Sequence, residues 1–234
     1  MKLQIAFIGG GNMASAILGG LLRQGTRAEQ IQVVDPSAEV ATRLQGLGVT
    51  VLPQAGPELA RAELVIWAVK PQVFAQAAHA AAPHVGQALH LSVAAGITSD
   101  SIATWLGAQR VVRAMPNTPA LVGLGQTGLY ARVSVSAADR ATVEQVLAST
   151  GQCTWVDAGV SFDGVAEVLP NVLLQGATTV GDGARIGPHA VLRNVSVGAG
   201  AVVKAGTVAE DSAIGPGAQV GPYAHLRPGS EVGE

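Results

Sequence analysis

Gly9, Gly11 and Ala14 stand at the spacing G-x-G-x-x-A within FIGGGNMASAI, a pattern suited to holding an anion. Gly9 permits a tight turn, Gly11 lets the backbone approach a pyrophosphate, and a small Ala14 lets the following helix pack close to the preceding strand. The unpaired N–H groups of that helix's first turn then face the phosphates. About twenty residues further on, an apolar run ends in Asp35-Pro36-Ser37, where dinucleotide-binding folds meet the ribose 2′-hydroxyl. Asp-Pro-Ser is also a good turn former and helix cap, and the two roles are compatible.

These residues need a strand before them and a helix behind them. Leu3 to Ile8 is a continuous apolar run with the look of a strand buried on both faces, and Ile17, Leu18, Leu21 and Leu22 recur at helical spacing until Gly25. Ile31 to Val34 reads as a second strand. Three more follow at LVIWAVKP (64–71), ALHLSVAAGIT (88–98) and RVVRAMPNTPALVG (110–123), separated by helical patterns such as Pro71 to Ala82. Strands alternating with helices predict an α/β, Rossmann-like, doubly wound parallel sheet with right-handed crossovers. In such sheets the ligand lies outside the carboxyl ends of the strands, so the glycine turn and the VKP, AAG and MPNTP loops should face one crevice.

FIGGGNMASAI, AVKPQ, SVAAGIT, RAMPNTPALVG and STGQCTWV occur in the order and spacing found in pyrroline-5-carboxylate reductases, and residues 1–156 resemble the NAD(P)-binding domain of that family. The resemblance implies hydride transfer from NAD(P)H to the C=N carbon of pyrroline-5-carboxylate, giving proline. It places Ile8, Gly9, Gly10, Gly11, Asn12 and Met13 around the pyrophosphate, and Ala68, Val69, Lys70 and Pro71 beside the cofactor. Val93, Ala94 and Ala95 would line the nicotinamide, with Met115, Asn117 and Thr118 bordering the substrate. Lys70 also reads as a solvent-exposed lysine in a strand-to-helix turn. Ala55 stands where the family usually carries an adenosine-contacting Asn. No Arg directly follows Asp35, which leaves Ser37 and Arg43 to meet a 2′-phosphate; NADPH is the family's cofactor and NADH the alternative.

After Asp157 the helical patterns give way to aliphatic residues at every sixth position: Val168, Leu174, Val180, Ile186 and Leu192, then Val197, Val203 and Ala209, then Ile214, Val220, Leu226 and Val232. The phase slips by one residue twice. Such hexads predict a solenoid, three hexads making one triangular coil of about 18 residues. The segment resembles a left-handed parallel β-helix, and its wording is similar to the start of the acetyltransferase domain of bifunctional N-acetylglucosamine-1-phosphate uridyltransferases. That resemblance implies trimers and assigns Arg227 to a sugar nucleotide or sugar phosphate; as a residue before Pro228 it also reads as a corner. His189 and His225 are expected on the surface. An uncovered last coil is expected to fray beyond about Ile214.

The expected organisation is thus a dinucleotide-binding domain over 1–156, a junction over 157–163 and a hexapeptide-repeat β-helix of about four coils over 164–234. The resemblance further implies that the reductase's helical substrate and dimer domain is absent, so no catalytic set is intact and turnover is impaired. The alternative is a fragment of a sugar-phosphate acetyltransferase or uridyltransferase, or a non-catalytic trimerising fusion. Charged residues are 13% of the chain and the net charge is −2, without the basic stripe that nucleic acid or an anionic membrane requires. A single cysteine, Cys153, allows no internal disulfide, no metal-ligating motif stands out, and the chain is expected to be a cytoplasmic homo-oligomer acting on a small molecule.

Overall fold

The computed structural model describes residues 3–116, 120, 123–157, 160–162, 166–169 and 171–233. They form two compact units, Met1–Cys153 and Thr154–Glu234.

In the first unit β1 (Ile5–Ile8) is the sheet's central strand, and its IAFI sequence is buried along its whole length because helices cover both faces. It pairs in parallel with β2 (Ile31–Val34) on one side; β3 (Thr50–Leu52) continues that edge. On its other side lie β4 (Leu64–Trp67), β5 (Leu89–Ser92) and β6 (Val111–Pro116), all parallel. With β7 (Gly125–Ala131) and β8 (Gly151–Trp155) the order is β3-β2-β1-β4-β5-β6-β7-β8. The sheet is not wholly parallel, for β7 runs antiparallel to β6, Val112 facing Ala131. A parallel crossover needs a dozen or more residues, and the 117–124 connection is shorter.

The helices obey local rules. α1 (Asn12–Arg23) buries Ala14, Ile17, Leu18 and Leu21 and stops before Gly25, whose φ is +91°. α2 (Ala38–Gln45) is capped by the Ser37 hydroxyl, α3 (Pro71–Ala81) begins on Pro71, and α4 (Ser99–Leu106) runs from a Thr98 cap to a left-handed Gly107. α5 (Ala137–Leu147) starts in a capping box between Ser136 and Asp139. The Asp139 carboxylate also takes two hydrogen bonds from Arg110, which lowers its pKa. None of the described helices is long and apolar enough to cross a membrane.

The second unit is built from strands of two or three residues, and the chain visits three parallel sheets in rotation. One contains Glu167–Val168, Arg185–Ile186, Val202–Val203 and Gln219–Val220; the next begins with Leu173–Gln175 and the third with Ser161–Phe162. Partners are eighteen residues apart at Leu174↔Leu192 and seventeen at Leu192↔Ala209. The inward column is the hexad column: Val180, Ile186, Leu192 and Val203 are fully buried, while Leu226 and Val232 are partly so. Gly187 shows why corners are small, since a Cβ there would stand 2.6 Å from the Ala205 nitrogen. Val156 bridges Leu174 and Ser161–Phe162 pairs with Thr179–Val180, so part of the segment read as a junction belongs to this unit.

One core group in the first unit titrates against its surroundings. His90 on β5 is fully buried, its Nδ1 accepts a hydrogen bond from Trp67 Nε1 at 3.2 Å, and its Nε2 has no partner. Burial, and then the Arg110 charge, push its pKa from 6.5 down to about 4. The unfolded chain therefore binds a proton near pH 6.5 that the folded unit refuses until about pH 4. Stability is complete above pH 6.5 and is lost as the pH falls between these values, by about 3 kcal/mol. Denaturant unfolding followed by tryptophan fluorescence should show this slope, and His90→Phe should flatten it.

Candidate functional site

The ladder hydrogen bonds continue one residue past each strand, aligning the loops at the sheet's carboxyl edge. Gly9 N–H donates to the Val34 carbonyl at 2.8 Å, Ala68 N–H to Ile8 at 2.8 Å, Asp35 N–H to Leu52 at 3.0 Å and Val93 N–H to Trp67 at 3.0 Å. The winding direction of the sheet reverses between β1 and β4, the position where open α/β sheets leave a ligand crevice. Gly9 after β1 and Ala68 after β4 flank that point.

The three glycines have separate duties. Gly9 has φ +95°, and a Cβ on it would come 2.7 Å from the Ala68 carbonyl oxygen. A Cβ on Gly10 would overlap Val40 Cγ1 of α2 and press on Leu44 and Val33. Gly11 is exposed, and a Cβ there would meet nothing within 4 Å. Gly11 is also the N-cap of α1, with no side-chain cap and no acidic residue in the first turn. The first turn therefore presents backbone donors and positive dipole to open space, beside a cradle a side chain would fill. These residues fit a pyrophosphate, and among the described residues no group of three His, Cys, Asp or Glu could hold a metal.

Asp35 is half-buried, its Oδ2 accepting from Gly10 N–H at 2.7 Å and its Oδ1 from Ser37 N–H at 2.9 Å. It thus forms the turn and also fixes the glycine loop, while Ser37 caps α2 by accepting from Val40 N–H. Ala68 and Val69 are half-buried, Lys70 is exposed, and Pro71 opens α3. Val93 is half-buried, Ala94 is buried with its N–H on Ser92 Oγ, and Ala95 is exposed. Asn12 is exposed and Met13 half-buried at the start of α1. Met115 is exposed on β6, whereas Asn117 and Thr118 lie outside the described residues. Ala55 packs against the core around Trp67 and Phe74.

Three features go beyond the sequence reading, which named Arg43 only as available to a 2′-phosphate. Arg113 is half-buried in β6, its Nε has no hydrogen-bond partner, its Nη2 lies 3.7 Å from Met115 Sδ, and burial lowers its pKa. Its only signal was a charge inside the apolar run RVVRAM. The Arg43 guanidinium reaches back from α2 to the Gly10 carbonyl at 2.7 Å and Ser15 Oγ at 3.1 Å. His90, in the core beneath this edge, is the third. Cys153 is held as a thiol, since burial and then Glu144 push its pKa up to about 11.

In the second unit Arg227 is exposed, and its carbonyl accepts from the Ser212 and Ser230 hydroxyls, which ties down a corner. His189 and His225 are exposed.

Residues 4–96 match the family described as NADP oxidoreductase, coenzyme F420-dependent. The chain is 40% identical to a pyrroline-5-carboxylate reductase of Pseudomonas aeruginosa over 188 residues, 76% of this chain and 69% of that one. It is 41% identical to the Haemophilus influenzae enzyme over 155 residues, 65% of this chain and 57% of that one. Among solved structures, a pyrroline-5-carboxylate reductase from Coxiella burnetii superposes with a TM-score of 0.63 at 32% identity, covering 66% of this chain and 59% of that one. The Plasmodium falciparum enzyme with NADP bound shares the fold at 23% identity, with a TM-score of 0.57 over 65% of this chain and 57% of its own. The chain spans between 57% and 69% of the length of these relatives, and on its sequence and the fold of its first unit it belongs to the pyrroline-5-carboxylate reductase family.

Proposed function

We propose that the first unit binds NADPH and that the chain is a reductase of a cyclic imine, pyrroline-5-carboxylate. The observation that carries this reading is Gly11, an exposed residue facing open space at an uncapped helix N-terminus, at the reversal point of the sheet. The similarity to reductases of this substrate supplies its identity. When bound, NADPH would supply the hydride for the imine carbon, and with a proton on the nitrogen the products would be proline and NADP+. Ile8, Gly9, Gly10, Gly11, Asn12 and Met13 hold the pyrophosphate, and Asp35 and Ser37 face the adenosine ribose. Ala68, Val69, Lys70 and Pro71 run beside the cofactor. Val93, Ala94 and Ala95 form the nicotinamide wall, with Met115, Asn117 and Thr118 on the substrate side.

We read the second unit as a left-handed parallel β-helix of the hexapeptide-repeat kind, because the chain returns to each of three parallel sheets every seventeen or eighteen residues. Its role in this reading is self-association, with trimers as the expected state. Arg227 serves as a corner residue in it.

Two measurements test the reading. Gly11 has φ −69° and ψ −166°, which any residue can adopt, so Gly11→Val should lower the melting temperature by no more than a few degrees, the cost of a poorer N-cap, while weakening NADPH binding about tenfold or more in a fluorescence titration. Unchanged affinity would contradict the placement. Incubated with pyrroline-5-carboxylate and NADPH, the full chain should yield proline matched mole for mole by NADP+, detected by mass spectrometry. Acetyl-CoA consumption without proline would favour the transferase alternative.

A further inference from the structure

α2 rests on the glycine turn through Val40 and Leu44, two of the three side chains a Gly10 Cβ would press upon. Arg43 lies on the same helical face, three residues after Val40 and one before Leu44. That packing brings its guanidinium onto the loop, where Nη2 donates to the Gly10 carbonyl at 2.7 Å and to Ser15 Oγ at 3.1 Å. The N–H of the same glycine donates to Asp35 Oδ2 at 2.7 Å. Gly10 is therefore held at one end by a carboxylate and at the other by a guanidinium, and the ribose-facing acid and the cation are separated by one residue.

Both charged groups keep capacity for a ligand. A carboxylate offers about four acceptor sites, and Asp35 uses one on Gly10 and one on Ser37. A guanidinium carries five N–H groups; the described bonds of Arg43 engage only Nη2, and the residue is exposed. A free 2′-hydroxyl can donate to Asp35. A 2′-phosphate cannot donate to an ionised carboxylate and is repelled by it, so its binding requires a cation at the same edge of the ribose. Arg43 is fixed there by packing, and its planar fork suits phosphate oxygens.

We propose that Arg43 recognises the 2′-phosphate of NADPH, and that the balance between Arg43 and Asp35 across Gly10 sets the preference for NADPH over NADH. This rests on the dinucleotide-binding reading of the first unit. Arg43 is a specificity-determining residue here; its hold on the Gly10 carbonyl is the means by which it is positioned.

The test is fluorescence titration of the full chain with NADPH and with NADH, backed by competition with 2′,5′-ADP and with 5′-AMP. Arg43→Gln should weaken NADPH and 2′,5′-ADP by about tenfold or more, while NADH and 5′-AMP change by less than about twofold. Arg43→Lys keeps the charge without the fork and should fall between. Asp35→Ser should shift the preference further toward NADPH. Equal losses for both cofactors would show that Arg43 only braces the glycine loop and would overturn the proposal, as would an unchanged NADPH affinity. Should Arg43→Gln fail to fold, the ratio in Arg43→Lys decides on the same criterion. A wild-type chain that binds neither cofactor would instead remove the dinucleotide-binding reading itself.

Discussion

The site depends on the close approach of chain to chain at the β1–α1 turn, where Gly9 sits against the Ala68 carbonyl and Gly10 against the side chains of α2. A methyl group at either place would have to displace a neighbouring strand end or a helix, and the ladder bonds Gly9–Val34 and Ala68–Ile8 would lengthen with it. Because those bonds hold, three loops converge at one edge, Asp35 reaches the Gly10 amide, and Arg43 reaches its carbonyl. The site is thus a consequence of close packing. Positioning costs little further ordering, since backbone groups rather than long side chains make most of it.

This explains which parts of the site could be read from the sequence. The G-x-G-x-x-A spacing is local, and the roles of Gly9 and Ala14 follow from the turn and the helix that must come next. Gly10 was legible only as part of a run, for its constraint comes from Val40 and Leu44, some thirty residues away. Arg43 was legible as a cation available to a 2′-phosphate, but the same distance hid its hold on the Gly10 carbonyl until α2 is laid on the turn. β3 and β7 were missed for another reason: TVL is three residues long and half-exposed, and GQTGLYA is broken by glycine. The strands that were legible, β1, β2, β4, β5 and β6, are buried over half of their length or more, where apolar runs leave little ambiguity.

Two polar groups within the sheet run against that apolar logic. His90 lies among β4 and β6 residues as a neutral ring satisfied at one nitrogen, and Arg113 keeps its charge while its Nε goes without a partner. An unsatisfied buried polar group costs about 1–3 kcal/mol, comparable to one good core aliphatic. Both lie on β5 and β6, His90 paired with Val111 and Ser92 with Arg113. The core around Trp67, Phe74 and Ile102 offsets that cost, and the Trp67 and Phe74 rings stand 5.2 Å apart within it.

The second unit meets a stricter constraint, because in strands of two residues a one-residue slip would turn every inward aliphatic outward. The hexad does slip, between Leu192 and Val197 and again between Ala209 and Ile214, yet all four are buried. The missing residue is taken from corners, where Asn194 and Asp211 adopt φ values of +53° and +43°. Asn and Asp tolerate that conformation better than other non-glycine residues, since their side chains can bond locally. Here they do so between layers: Asn194 Oδ1 accepts from Ala177 N–H at 2.9 Å and its Nδ2 donates to Asp211 Oδ1 at 2.8 Å. The turn that shortens the coil therefore also ties it to the layers on either side. Thr178 does the same inside the stack, donating to the Gln175 carbonyl and accepting from the buried Val195 amide. The aliphatic column stays in phase through two deletions because polar side chains at the corners, and not the strands, absorb the change in length.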